Sequence, residues 1–367
     1  MGEMNTADES GGETPGVDAP ERAPVPKWPF ILAGVFIAIG LAIAIAWPIK
    51  VPYYTLSPGP LYDASDFVHV PDPADNIDGE FFFLTVSLRE ANIFEYIGAK
   101  LSPKVDLAPR QNIRPSGVSP EDLRRENLAR MEQSKTDAKF VALTKLGYDV
   151  TYQGTGALVI ETVPDSAADG VLLPGDVIIA LDGEDVAFRS DVIDDMEDKE
   201  IGDTIVATIE RPDPHSGEPE VMDVGLVLGP HVDDPTKPMM GVLLDNNEPI
   251  IEFPIDVEID SQNIGGPSAG MMFTLEIINQ LTEQDITGGK RIAGTGTISL
   301  DGTVGAIGGV TQKVFAAIDA GAQIVFVPES NYNDAVEAAG DKITVVAVTT
   351  IDDPLDYLGA TDLTPAG

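Results

Sequence analysis

Ser268 stands in the stretch Asn263–Phe273, NIGGPSAGMMF, behind two glycines and a proline and ahead of Ala269, Gly270 and an apolar run. A serine so placed either caps the helix that starts after it or acts as a nucleophile. Small residues let a substrate backbone come close, and the free N–H groups of a helix start can stabilise an oxyanion. Gly265, Gly266, Pro267, Ala269 and Gly270 are therefore the candidate substrate and oxyanion loop. A nucleophilic hydroxyl also needs a base. The three imidazoles, His69, His215 and His231, are scattered and none is near Ser268 in sequence, which turns the search to lysine. Lys290 lies in the polar loop TGGKR, where it would be solvated, and Lys342 lies further on. Lys313 instead opens the apolar helical run VFAAI, closed by Gly321. A free lysine, with a pKa of ~10.4, is charged at neutral pH, but burial can bring it to ~7 to 8, where the neutral amine works as a base.

These residues sit in longer motifs, GPSAG at 266–270 and GTGTISLDGTVGAIGG at 294–309, followed by Lys313. Over roughly Ile251 to Leu358 the sequence resembles the proteolytic domain of the Lon family of Ser-Lys proteases, and the interval from Ser268 to Lys313 is close to that family's spacing. The resemblance implies that Ser268 is the nucleophile, Lys313 the general base and Thr295 the hydroxyl that orients the lysine. Ile264-Gly265 departs from the Lys-Asp that many cytosolic Lon proteases carry before GPSAG. The ATP-driven half has no counterpart, since no G-x-x-x-x-G-K-[ST] occurs.

A second resemblance lies upstream. ALVIETV at 157–163 leads into PDSAADGVLLPGDVIIALDGEDV, ending at Val186. Ala167, Ala168, Gly170, Leu172, the Gly175-Asp176 pair that opens a strand and the Asp182-Gly183 turn that closes it are similar to the core of a PDZ domain. Such domains bind an extended peptide as an added strand. Together with the apolar segment described below and LSPGP at 56–60, the arrangement resembles bacterial membrane-anchored, PDZ-containing Lon-like proteases. It implies an ATP-independent serine endopeptidase with PDZ-assisted selection of protein or peptide substrates, no cofactor, and a homo-oligomer, a hexamer by analogy. Two other readings stay open: a non-catalytic PDZ adaptor with a decayed protease domain, and a phosphate-binding domain like that of small-molecule kinases.

The elements that must position these groups are an α+β multidomain assembly. Residues 1–27, rich in Gly, Glu, Asp and Pro, read as a disordered tail. Trp28 to Trp47 carries no charge, and a helix of that length spans ~30 Å, enough for a transmembrane helix. Its apolar core is too long for a cleaved signal. Arg22 and Lys27 before it, against Lys50 after it, favour a cytoplasmic N-terminus in a single-pass membrane protein with its C-terminal domains extracellular. An N-terminal region follows over 48–147, then the PDZ domain over 148–230 and the Lon-like domain over 231–360. GEFFFLTVSL at 79–88 reads as a strand that needs a sheet on which to bury both faces. We expect it to join the protease sheet, with the PDZ domain inserted. Strands are expected at 251–259, 324–327 and 343–348, and a helix from Ser119 to about Gly147, interrupted on the way.

With 61 acidic against 22 basic residues the formal charge is −39, which argues against a nucleic-acid partner. The absence of cysteine removes disulfides, thiolate metal ligands and cysteine nucleophiles, and no two histidines stand at metal-ligand spacing.

Overall fold

The computed structural model describes residues 27–74, 77–115, 117–213, 218–232, 234–360 and 363–365. The expected tail, apart from Lys27, and His215 lie outside the described residues.

The first helix, α1 (Trp28–Ala46), has 19 residues and stops ahead of Pro48, which has no N–H to continue the ladder. At ~1.5 Å per residue it is ~28 Å long, shorter than the 28–47 transmembrane segment expected from sequence. Among the described residues no helix is long and apolar enough to cross a membrane. Phe30, Ile31, Phe36, Ile37, Leu41 and Ile45 of α1 are all exposed.

A six-stranded sheet follows, in the order 344–348, 324–328, 291–294, 80–92, 50–63, 106–109. The first four strands are parallel, 50–63 runs antiparallel to them, and 106–109 runs antiparallel to 50–63. Glu80–Asn92 thus pairs with Arg291–Gly294, and the segment before the PDZ region supplies half of the sheet. The uninterrupted FFFL run is explained by burial on both faces. Phe81 and Phe83 enter one apolar cluster, Phe82 and Leu84 another.

Between the strands 80–92 and 106–109 lies the short helix α2 (Ile93–Leu101), started by a capping box of Asn92 and Glu95. The long helix α3 (Pro120–Lys145) starts on a second capping box, Ser119 with Asp122, and runs without the expected interruption. It buries Met131, Ser134, Ala138 and Val141. The chain then leaves for a second sheet, ordered 219–227, 204–212, 177–181, 157–162, 242–246. This sheet has its own core around Ile178, Leu181, Ile205 and Ile209, and a flanking helix α4 (Arg189–Glu197). Asp182 and Gly183, at φ 49° and 89°, form the tight turn after Leu181.

Val242–Asn246 pairs with Ala157–Thr162, so this sheet extends past the boundary expected at 230. Thr151–Gln153 pairs antiparallel with Ile250–Glu252. The strand leading into the second domain therefore lies beside the one leading out, which is the geometry of an insertion. The expected strand 251–259 is divided into Ile250–Glu252 and Glu258–Ile259, with Pro254, which cannot donate to a ladder, between them. The last two helices that matter for the site are α5 (Gly270–Leu281) and α6 (Val310–Asp319).

Candidate active site

The loop before α5 is fastened to α3. Gly266, at φ 94°, donates its N–H to the Asn127 carbonyl at 2.8 Å, and Ser134 Oγ donates to the Pro267 carbonyl at 3.0 Å. Gly270 begins α5 where a Cβ would come within 2.5 Å of Ser134 Oγ and 2.7 Å of Ile298 Cγ2. A larger residue there would push the helix off α3, so the glycine is required by the close approach. The N-cap of α5 is Ala269, and no side chain caps the helix. The Ser268 hydroxyl is thus free of capping duty. Among the described residues neither the Ser268 nor the Ala269 N–H is used in a hydrogen bond, leaving both at the positive end of the α5 dipole.

Lys313 comes to this hydroxyl from the first turn of α6. Its Nζ donates to Ser268 Oγ at 2.8 Å and to Thr295 Oγ1 at 2.9 Å. The residue is 2% exposed, and burial lowers its pKa from 10.5 to about 7. Thr295 follows directly on the strand Arg291–Gly294 and is fully buried. Its Oγ1 donates to the Ser268 carbonyl at 3.1 Å, and the next N–H, that of Gly296, donates to the same carbonyl at 2.9 Å. The Ser268 peptide is therefore held from behind while its side chain faces the amine. With no ion pair among the described residues to offset the loss of water, burial leaves the amine half neutral at pH 7 and mostly neutral above it, and a neutral amine can take a proton from a hydroxyl.

Two cavities open on the pair. One of about 310 Å³ is lined by Tyr62, Phe83, Val86, Met131, Ile264, Gly265, Gly266, Ser268, Ala269 and Lys313. The other, about 750 Å³, is lined by Leu88, Leu123, Leu128, Pro267 and Ile307 with Ser268 and Lys313. Of the candidate loop, Gly265, Gly266, Pro267 and the buried Ala269 line these cavities, while Gly270 is buried and lines neither. Lys290 and Lys342 are exposed and line neither cavity. Tyr62, Val86, Leu88, Asn127 and Met131 were not singled out from sequence. They come from 60–131, and the sequence signal for part of them was the apolar 79–88 run, whose place in the sheet brings it to Ser268.

Residues 255–358 match the Lon protease (S16) C-terminal proteolytic domain, and residues 144–223 match a PDZ domain. The chain carries a Lon-type proteolytic domain and a PDZ domain. Ser268, Thr295 and Lys313 all fall in the Lon-type domain. Its relatives include the Lon protease of Geobacter metallireducens, 40% identical over 93 residues that make up 24% of this chain and 11% of that protein. The archaeal Lon protease of Thermoplasma volcanium is 38% identical over 96 residues, 26% of this chain and 14% of that protein. The chain thus spans only a small share of the length of these relatives. On the PDZ side, the PDZ domain of the SdrC-like protein from Listeria monocytogenes is 28% identical, with 26% of this chain and 92% of that chain covered and a TM-score of 0.21.

Proposed function

We propose that the chain is a serine endopeptidase in which Ser268 and Lys313 form the catalytic dyad. The observation that carries this reading is the 2.8 Å contact between Ser268 Oγ and a buried lysine amine whose pKa lies near 7. With Lys313 neutral, the serine hydroxyl donates its proton to Nζ as Oγ attacks the peptide carbonyl. In this reading the Ser268 and Ala269 N–H groups at the start of α5 stabilise the oxyanion, and the support is that neither is used in another hydrogen bond among the described residues. The ammonium then protonates the leaving amine, and water, activated by the same lysine, releases the acyl group. Thr295 keeps the amine aimed at the serine. Nothing in this sequence of steps consumes ATP, and hydrolysis of a peptide bond is downhill without it.

The proposal includes selection of protein substrates by the PDZ domain. Val242–Asn246 is the terminal strand of its sheet and α4 lies beside it, an edge to which an extended peptide can add. It also includes attachment to a membrane through α1, with substrates outside the cytoplasm. The support is that α1 is charge-free and its apolar side chains are exposed, which water does not favour.

The test is full-length protein in detergent, incubated with an unfolded protein without nucleotide, with products read by mass spectrometry. A serine-directed fluorophosphonate should modify Ser268 alone, and Ser268→Ala should remove both labelling and cleavage. Cleavage that persists in folded Ser268→Ala would sink the dyad.

A further inference from the structure

The helix α2 leaves a stripe of large apolar side chains without a partner. Ile93, Ile97 and Leu101 follow at intervals of four, so they share one face, and they are 37%, 52% and 82% exposed. A helix of nine residues that shows water this much apolar surface needs something to cover it.

Its position says what that is. Trp47, just past the end of α1, stacks on Phe94 of α2 with ring centroids 5.8 Å apart, and Tyr53 packs against Tyr96 at 5.0 Å. The stripe therefore begins where α1 ends. The apolar side chains of α1 are exposed around its whole circumference, and a protein partner would cover one side only. Lipid can cover all of them, and the Trp47–Phe94 contact puts the stripe next to the end of α1. Tryptophan and tyrosine at the seam suit the boundary between hydrocarbon and water.

The charges agree. In a chain with a formal charge of −39, the one acid on α2, Glu95, is turned back to accept the Asn92 N–H at 2.8 Å in the capping box. Glu90 is occupied by Arg114 at 3.0 Å. Lys100, over the Tyr96 ring at 5.1 Å, stands at the edge of the stripe, where its stem can lie on apolar surface and its ammonium reach a phosphate.

We propose that α2 lies in the membrane surface beside α1, with Ile93, Ile97 and Leu101 in the outer hydrocarbon. This rests on the membrane attachment proposed above. Past α2, Lys104 pairs with Asp319 at 2.7 Å and Gln312 Nε2 donates to Asp106 at 2.8 Å, both partners lying on α6 with Lys313. The seating thus fixes the height of the catalytic cleft above the bilayer and favours substrates at or near the membrane surface.

The chain has no cysteine, so single-cysteine variants can carry a spin label without background. Ile97→Cys, Leu101→Cys, Phe36→Cys in α1 and, as a water reference, the exposed Val206→Cys in the PDZ sheet would be labelled in the full chain. Each would be reconstituted in vesicles of phosphatidylethanolamine and phosphatidylglycerol. At 97 and 101, as at 36, collisions with oxygen should exceed those with a water-soluble nickel chelate, and at 206 the reverse. Labels at 97 and 101 that behave like 206 while 36 stays in lipid overturn the seating of α2 alone. Shielding of 97 and 101 from both reagents, as by a second copy, overturns it as well. Position 36 in water overturns both the seating and the attachment beneath it.

Discussion

Ser268 and Lys313, 45 residues apart in sequence, meet at 2.8 Å, and burial alone sets the acidity of the amine, at a pKa of about 7. Activity should therefore rise with pH through about 7 and level off above it. At pH 5 the neutral fraction falls to about one in a hundred, so kcat/KM should drop by ~100-fold in a fold that survives. A profile flat from pH 5 to 8 would leave Lys313 without its role.

Lys313→Arg should abolish turnover as completely as Lys313→Ala, because a guanidinium with a pKa above ~12 offers no neutral nitrogen. Lys313→Met should also be inactive yet more stable than the parent. The buried amine has its folded pKa depressed below its unfolded value of 10.5. The cost of holding the ammonium is then fully present below pH 7 and is relieved as pH rises from about 7 to 10.5, with an upper bound on the order of 5 kcal/mol. Denaturant melts at pH 6 and pH 9 should show a larger advantage for Lys313→Met at pH 6.

Thr295 touches both partners, through Lys313 Nζ and the Ser268 carbonyl. Thr295→Val removes both hydrogen bonds at nearly constant volume and should lower kcat by roughly 10- to 100-fold, the worth of 1 to 3 kcal/mol. Thr295→Ser restores the hydroxyl and should recover most of it. If valine also shifts the pH profile, the threonine governs the state of the amine as well as its aim.

A second buried titrating group lies on α5, away from the serine. Glu276 is 2% exposed, accepts from Gln280 at 2.7 Å, and is pushed by burial to a pKa of about 8. Its folded pKa exceeds the unfolded 4.5, so its stability contribution is full below pH 4.5 and is lost as pH rises through 8. Glu276→Gln should raise Tm at pH 8 and leave it nearly unchanged at pH 4.5. An equal shift at both values would mean that the carboxyl is not protonated in the folded protein.

What the sequence made legible was local. Ser268 and Lys313 stood out because glycine-rich turns next to apolar helical runs are uncommon settings for a hydroxyl and an amine, and the turn at Asp182-Gly183 needs only two residues to declare itself. Non-local consequences stayed hidden. Whether Ser268 capped α5 depended on the helix starting at Gly270 with Ala269 as its cap, one residue later than the serine could serve. That Val242–Asn246 belongs to the PDZ sheet depends on pairing with Ala157–Thr162, which no composition change at 230 signals. The walls that Val86 and Met131 give the cleft exist only once Glu80–Asn92 has entered the sheet beside Arg291–Gly294.

The insertion geometry allows a clean excision. Thr151–Gln153 lies antiparallel to Ile250–Glu252, with Gln153 opposite Ile250, so residues 154–249 can be replaced by a short Gly/Asn turn of the kind that joins adjacent antiparallel strands. The PDZ sheet has a core of its own, and the Lon-type core does not draw on it, so the remainder should fold and keep Ser268 against Lys313. If the PDZ edge delivers substrates, the excised enzyme should cleave a short unstructured peptide at close to the parental rate and lose most of its activity on a folded or tagged protein. The ratio of the two kcat/KM values, measured with fluorophosphonate labelling of Ser268 as the check on an intact site, is the deciding quantity. An unchanged ratio would reduce the PDZ domain to a spacer, because strand addition supplies binding energy only to chains long enough to reach from that edge to the serine.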